Sequence, residues 1–553
     1  LKSLWLKLLA SIGFGNMYRI AQLLFLLACA GHGRRMQNSL KSSQDNQEPL
    51  NTFDINLGDH SDVEVEQSST LDRATGEFPA GTAFTMLLLA LTPAAAFVVN
   101  PLASGKRVPR DSTLHSSTVL DVKRQGDVSQ PAPVMSTATV ERKTGKRFSR
   151  GRELRQKLLS SKNHNRQGFK ENKAAVEGMM VKEFTSPLLA EMRANDGRIT
   201  RGDVTVSLAE KQGLCWGVER AVAMAYQTRS HFPDEKIHIT NELIHNPQVN
   251  DRLHEMGVKF IEPAPRPGGM KNFDDVKEGD VVILPAFGAT IDEMQLLNQR
   301  NVKIVDTTCP WVSKVWNAVD RHVIAGKTTI IHGKWAHEET VATSSFCEHY
   351  LIVKDQAEAD YVVDYILNGG DKAEFLEKFK NAMSKGFDPD KHLQNVGLAN
   401  QTTMYKKETK QIGRAFEVAM LKKYGPEKLS EHYAEFDTIC DATQERQDAV
   451  TKMSNADEKV DFVLVVGGFD SSNTAHLKEI PEKYGVPAYH IDRAERIGAD
   501  NSLEHREHDG TIVKMQDFLK KGPLNIGVTS GASTPDIFVE DALERIFMIH
   551  KLL

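Results

Sequence analysis

Apolar and polar positions divide the chain into two unlike parts. Up to about residue 150, apolar residues fall in two isolated blocks, 20–30 and 84–99, set among polar stretches without a repeating period. Beyond that point short apolar runs alternate with amphipathic ones. Residues 203–209 alternate apolar and polar side chains and predict a strand. Runs at 236–240, 258–261, 281–285, 328–332, 350–353, 396–399, 460–466, 487–491 and 525–528 predict further strands, several of them apolar throughout as in buried parallel sheets. Between them lie helical periods. Val218, Val222 and Ala225 share one face, 371–384 reads as a helix, and a charged helix runs up to Lys423. Segment 151–203 is charged and mostly helical in pattern, apart from the start of the first strand. Strand alternating with helix predicts an α/β fold with mainly parallel sheets. Ligands in such folds bind beyond the carboxyl ends of strands, at helix N-termini.

Three cysteines stand at such places. Cys215 lies in GLCWG, Cys309 in DTTCP and Cys440 in TICDA, and a helical run follows each. A single cysteine is ordinarily a small core residue. Three in matching strand-to-helix settings point instead to thiolate ligands, because a helix N-terminus favours the anion. An iron–sulfur cubane normally takes four thiolates, so three leave one iron open, as a Lewis-acid site requires. The chain holds five cysteines in 553 residues. They are too few and too scattered for a disulfide framework, and no CxxC pair suggests a zinc ribbon. Cys29 falls in the N-terminal part and Cys347 has no matching context.

Other chemistry gathers at the same kind of turn. Asn246 and Pro247 read as the cap and first residue of a helix, which puts His245 at its mouth. His337 and Glu339 share one turn and suit proton delivery, or else a solvated helix start with its acids placed for the dipole. Ser471, Ser472, Asn473 and Ser533 offer donors that fit a phosphate, though any one alone is more simply a cap. Thr402 falls after the strand at 396–399. The three stretches beginning near Asp203, Cys309 and Cys440 look like one α/β unit used three times. They predict lobes at 204–308, 309–439 and 440–553, preceded by a helical extension at 151–203.

Charge and leader composition complete the picture. A net charge of −5 on a chain this long marks neither a nucleic-acid binder nor a strongly acidic protein. Residues 1–150 read as a targeting and disordered region. The block at 84–99 ends in Ala94-Ala95-Ala96, like a signal-peptide cleavage site, and Phe97 follows. Residues 100–152 are rich in Arg, Lys, Ser and Thr and poor in acids, as in a transit peptide. Signal followed by transit peptide resembles the two-part leader of plastids of secondary origin. It predicts a plastid-stroma protein with no membrane anchor once mature; a disordered tail with an apolar patch is the plainer alternative.

The motifs GLCWGVERAV, ELIHNPQVN, DTTCPWVSKV, HGKWAHEETVAT, NQTTMY, DTICDATQERQDAV, DSSNTAHL and VTSGASTPD together resemble the 4-hydroxy-3-methylbut-2-enyl diphosphate reductase family. NHNRQGF, near Asn163, resembles its plant and cyanobacterial branch. The resemblance implies three pseudo-symmetric α/β lobes around a 4Fe–4S cluster held by Cys215, Cys309 and Cys440. It implies reductive removal of the substrate's hydroxyl to yield isopentenyl and dimethylallyl diphosphate. Glu339 matches the family's proton-relay carboxylate, with Thr402 and His337 beside it. Ser471, Ser472, Asn473, Ser533 and His245 match its diphosphate pocket. Many bacterial members carry a histidine where this chain has Phe287, so one cationic donor is missing. Reduced ferredoxin is the electron donor that the resemblance and the leader imply. The competing readings are a redox-neutral iron–sulfur dehydratase and a non-enzymatic iron–sulfur binding or sensor protein.

Overall fold

In a computed structural model, residues 140–141 and 147–553 are described; the leader expected at 1–150 lies almost wholly outside them. Among the described residues, three larger sheets carry the architecture. The first has five parallel strands, ordered His164–Asn165, Lys303–Asp306, Val281–Leu284, Ile237–Ile239, Val258–Phe260. The second has four parallel strands, ordered Tyr350–Val353, Thr328–His332, Val396–Asn400, Tyr433–Glu435. The third has seven. Its parallel centre runs Ala488–Ile491, Phe462–Val466, Leu524–Ser530, Val204–Leu208, with antiparallel strands at both edges.

The central strands are buried along their whole length because helices cover both faces. Every residue of Val281–Leu284, Thr328–His332 and Phe462–Val466 is buried. Each large aliphatic side chain removed from water in this way contributes about 1.5–3 kcal/mol. The helices start where the sequence carries caps. The Asn246 side chain accepts from Val249 N–H at 3.1 Å, with Pro247 as the first helical residue. Ser471 accepts from Thr474 N–H at 3.3 Å, and Thr290 and Glu293 form a capping box. Each cap satisfies an N–H that helix geometry leaves without a partner.

Several elements differ from their sequence pattern. Val204–Leu208 begins the α/β body in sequence, yet it pairs in parallel with Leu524–Ser530 of the third sheet. Its inward residues Val204, Val206 and Leu208 pack with Leu464, Ile526 and Val528. The first strand therefore closes the sheet of the last lobe. The helix expected at 371–384 stops at Lys378. Beyond it, Phe379 and Ala382 turn into the core, and the Ala382 carbonyl accepts from Ile352 N–H at 2.7 Å. Pairing along that strand outweighs the helical period. Within 151–203, His164–Asn165 and Arg198–Arg201 are strands, each recruited as a sheet edge. The final helix spans Asp536–Leu552, with Pro535 as its cap residue.

Candidate functional site

The carboxyl ends of the three sheets face a common cavity of about 110 Å³. Cys215, Cys309 and Cys440 line it, each as the N-cap residue of a helix: Trp216–His231, Pro310–Ile324 and Asp441–Ser454. Each cysteine is hung from a loop at the end of a strand. Cys309 N–H donates to the Ala286 carbonyl at 2.8 Å, Cys440 N–H to Thr402 at 3.3 Å, and Cys215 N–H to Ala532 at 3.0 Å. Those acceptors lie just past the ends of strands of the first, second and third sheets in turn. The repeated arrangement is visible here as one hydrogen bond used three times.

The polar residues expected at strand ends line the same cavity. His245 and Phe287 come from the first lobe, His337, Glu339 and Thr402 from the second, and Ser471, Ser472, Asn473 and Ser533 from the third. Thr402 holds Glu339 through both carboxylate oxygens. Its N–H donates to Oε1 at 2.6 Å and its hydroxyl to Oε2 at 2.8 Å. His337 caps the helix Glu338–Ser344, its Nδ1 accepting from Glu339 N–H at 3.2 Å. The His245 ring stacks on Phe287 at 4.8 Å and meets His337 edge-on at 5.1 Å. Its Nδ1 lies 3.1 Å from Glu242. Asn473 Oδ1 accepts from Ala532 N–H at 2.9 Å, and the Ser533 hydroxyl donates to the His245 carbonyl at 3.1 Å. His245 Nε2 and Asn473 Nδ2 are buried without a protein partner. Two unpaired nitrogens on one cavity wall are expensive unless a ligand meets them.

Burial dominates the electrostatics. It raises the Glu339 carboxyl to about 7, although the Thr402 hydrogen bonds and nearby His245 pull the other way. It also holds His337 well below the ordinary imidazole range, with His245, Lys334 and His476 adding to the effect. The carboxyl is therefore poised to carry a proton near neutrality while the adjacent imidazole stays neutral. Burial first, with the charges of Cys215 and Cys440 adding to it, pushes the Cys309 thiol up to about 12. Cys440 shifts upward too, by burial first and then by the charges of Cys215 and Glu339. At Cys309 and Cys440, then, burial outweighs the helix N-terminus, and the neutral thiol is favoured there.

Sequence reasoning missed the residues that fix the Cys309 loop. His164 Nε2 lies 3.4 Å and Arg166 Nε 3.1 Å from the buried Asp306 carboxylate. Burial would raise that carboxyl, but the His164 hydrogen bond, the Arg166 charge and Thr308 hold it down at about 2. Arg166 also donates to the Thr308 carbonyl at 3.3 Å and Ser313 Oγ at 3.1 Å. Arg220 reaches the Thr307 carbonyl at 3.3 Å and the Arg166 carbonyl at 2.6 Å. Arg446, from the Cys440 helix, donates to the Gly213 carbonyl beside Cys215 at 3.2 and 2.6 Å. The motif NHNRQGF was a usable signal for His164 and Arg166; nothing in sequence pairs Arg446 with Gly213. Two glycines are needed for close approach. A methyl on Gly217 would stand 2.5 Å from Cys309 Sγ, and one on Gly468 2.2 Å from the His245 carbonyl oxygen. Cys347 is a buried core residue away from this cavity.

Among the described residues, no three His, Cys, Asp or Glu side chains stand close enough to share one metal ion. A cluster in which each thiolate meets a different iron asks for sulfurs spread around it instead.

The family model described as LytB protein matches residues 206–547. The chain is 57% identical over 394 residues to a 4-hydroxy-3-methylbut-2-enyl diphosphate reductase of Picosynechococcus sp., covering 71% of this chain and 96% of that one. It is 58% identical over 394 residues to the reductase of the same name from Crocosphaera subtropica, with the same coverage. A solved structure of the E-1-hydroxy-2-methyl-but-2-enyl-4-diphosphate reductase from Plasmodium falciparum superposes with a TM-score of 0.45 at 22% identity, over 61% of this chain and 86% of that one.

Proposed function

We propose that this chain, which belongs to the LytB protein family, is an enzyme that reduces (E)-4-hydroxy-3-methylbut-2-enyl diphosphate to isopentenyl and dimethylallyl diphosphate. The observation that supports this most is the meeting of three N-cap cysteines with an acid poised near neutrality in one cavity. Allylic C–O cleavage calls for electrons, a Lewis acid and a proton source at one place.

The donor set fits an iron–sulfur cluster: three cysteines from three lobes, walled by apolar Val218, Ala286, Val312 and Ala442. We assign Cys215, Cys309 and Cys440 as its ligands. A 4Fe–4S cluster held there supplies electrons singly and, at the iron without a thiolate, Lewis acidity. The protein's residues do the rest. Glu339 holds the proton that leaves with the hydroxyl, and Thr402 fixes both of its oxygens. His337 keeps the Glu339 turn in place by capping it. His245 Nε2 and Asn473 Nδ2 are the free donors for the diphosphate, joined by the Ser471 and Ser472 hydroxyls at a helix start, while Ser533 lines the same pocket and holds the His245 carbonyl. Holding the diphosphate away from the reacting carbon turns binding energy into positioning. Phe287 supplies no charge; it stacks on His245 and orients that imidazole.

We place the lobe boundaries at 204–308, 309–439 and 440–553, with Val204–Leu208 lent to the third sheet. We assign the mature protein to the plastid stroma and reduced ferredoxin as its donor. The leader-like composition of 84–152 and the cyanobacterial relatives support both. Among the described residues no helix is long and apolar enough to cross a membrane. The test is anaerobic. Protein purified without oxygen is assayed for iron, sulfide and conversion of the allylic diphosphate with dithionite or reduced ferredoxin. Iron and sulfide with both isoprenoid diphosphates as products is the expected result; no product from iron-loaded protein overturns the reading.

A further inference from the structure

One wall of the cavity is backed by a second, solvent-facing groove of about 870 Å³, lined in part by Lys334, Trp335, Tyr405, His476 and Glu479. The helix Ser472–Lys483 separates the two spaces and carries a hydrogen-bonded row along one face. Ser472, on the cavity side, has its Oγ 3.5 Å from His476 Nε2. His476 Nδ1 lies 3.2 Å from Glu479 Oε2 on the groove side. The Tyr405 hydroxyl donates to the same carboxylate oxygen at 2.8 Å and to the His476 carbonyl at 3.0 Å. The spacing of four and then three residues puts these groups on one helix face. The His476 side chain is 6% exposed and that of Glu479 29%.

Donor and acceptor roles follow from this row. Burial would raise Glu479, but the His476 hydrogen bond and charge, Tyr405 and Lys483 hold its carboxyl at about 2. An ionised Glu479 only accepts, so His476 Nδ1 carries a proton in either charge state. The state of Nε2 then decides what Ser472 can do. A protonated Nε2 donates to Ser472 Oγ and leaves the hydroxyl hydrogen free to point into the cavity. A bare Nε2 accepts that hydrogen and presents only an oxygen lone pair to an incoming anion.

We propose that Glu479, His476 and Ser472 form a proton-linked positioning relay in which protonated His476 turns Ser472 into a donor toward the substrate's diphosphate. His476 is a positioning residue here, acting through Ser472. The inference rests on the diphosphate reading of the cavity. It also answers the loss of a cationic donor at Phe287, because a charge one layer behind Ser472 serves the same anion. The charged and titratable groups facing His476 come from every neighbouring element. Glu479 and Lys483 lie on its own helix, and Tyr405 and Glu408 belong to the start of Lys406–Tyr424. His332 ends a strand of the second sheet, and Lys334 and His337 lie on the loop after it. The Tyr405 ring packs on the imidazole at 4.3 Å.

The experiment measures inorganic diphosphate binding to the iron-loaded protein by calorimetry, and KM and kcat for the allylic diphosphate, from about pH 5.5 to about pH 8.5. The parent and His476→Gln are compared, so the ligand's own ionisation and that of Glu339 cancel. His476→Gln is expected to weaken diphosphate binding about tenfold at the acid end and much less at the alkaline end. The loss should fall on KM rather than kcat, with iron content retained. Tyr405→Phe, a milder change, should shift the pH at which the parent's binding weakens. Parallel pH profiles for parent and His476→Gln, or a loss confined to kcat, overturn the relay. Should His476→Gln fail to fold, an unshifted Tyr405→Phe profile overturns it as well. A protein that binds diphosphate with this pH dependence but makes no isoprenoid product refutes the reductase reading and leaves the relay standing.

Discussion

Glu339 is the residue whose environment says most about chemistry. It is buried, holds two hydrogen bonds from Thr402 and has a carboxyl raised to about 7. If it delivers a proton, it must enter turnover protonated. The sign follows: kcat is highest below pH 7 and falls as pH rises through that value. Steady-state assays across pH with an artificial reductant check this. Glu339→Gln keeps one oxygen to accept from Thr402 N–H, sets an amide N–H against the Thr402 hydroxyl, which then accepts, and removes the transferable proton; turnover should drop about 100-fold or more with iron and sulfide unchanged. Gly217 gives a second prediction. The methyl of Gly217→Ala stands 2.5 Å from Cys309 Sγ, closer than side chains approach. The sulfur must move, so iron loading is expected to fall well below that of the parent. Iron and sulfide analysis, with the unfolding midpoint as a folding control, reads it.

At the level of elements, the loop Thr307-Thr308-Cys309 is held by a strand that lies outside the residues matched by the family model. His164–Asn165 pairs with Ile304 and Val305, and this puts His164 and Arg166 against Asp306. Arg166→Met leaves a buried carboxylate with only His164 and the Thr308 N–H and frees the Thr308 carbonyl. Removing one partner of a buried ion pair costs about 3–5 kcal/mol, which chemical denaturation measures. The pH dependence has a definite sign. The Asp306 carboxyl is depressed in the folded state, to about 2. Its contribution is therefore complete above the ordinary aspartate value of about 4 and is lost as pH falls toward 2. Arg166→Met should be weakened at neutral pH and show less further loss on acidification than the parent.

For the molecule as a whole, the cavity is where the three lobes meet. Cys215, Cys309 and Cys440 each belong to a different helix and hang from a different sheet. Arg446 and Gly468 bring the third lobe against the loops of Cys215 and His245. A group bound to all three thiolates would bind the folded state alone and so add to its stability. Removing the iron anaerobically with a chelator should lower the unfolding midpoint by roughly 5 °C or more, as calorimetry on the same sample before and after removal will show. The upward shifts of Cys309 and Cys440 favour their neutral thiols in the protein without a bound group.

The alternation of apolar runs with helical periods determined the α/β class, and Asn246 and Ser471 marked where helices begin. These are local matters, settled by steric preference and by one side chain meeting a nearby N–H. The cysteine turns, the His337–Glu339 turn and the serines at helix starts were legible for the same reason. Pairing was not. That Val204–Leu208 joins Leu524–Ser530, that 379–384 gives up a helix to run beside Tyr350–Val353, and that Arg446 reaches Gly213 depend on partners far away in sequence. The tertiary structure also decided the charge states. Glu339 and Cys309 share their residue types with solvated groups, and only burial among distant lobes pushes the one to about 7 and the other to about 12. Desolvation is a property of surroundings, and surroundings exist only once the chain has folded.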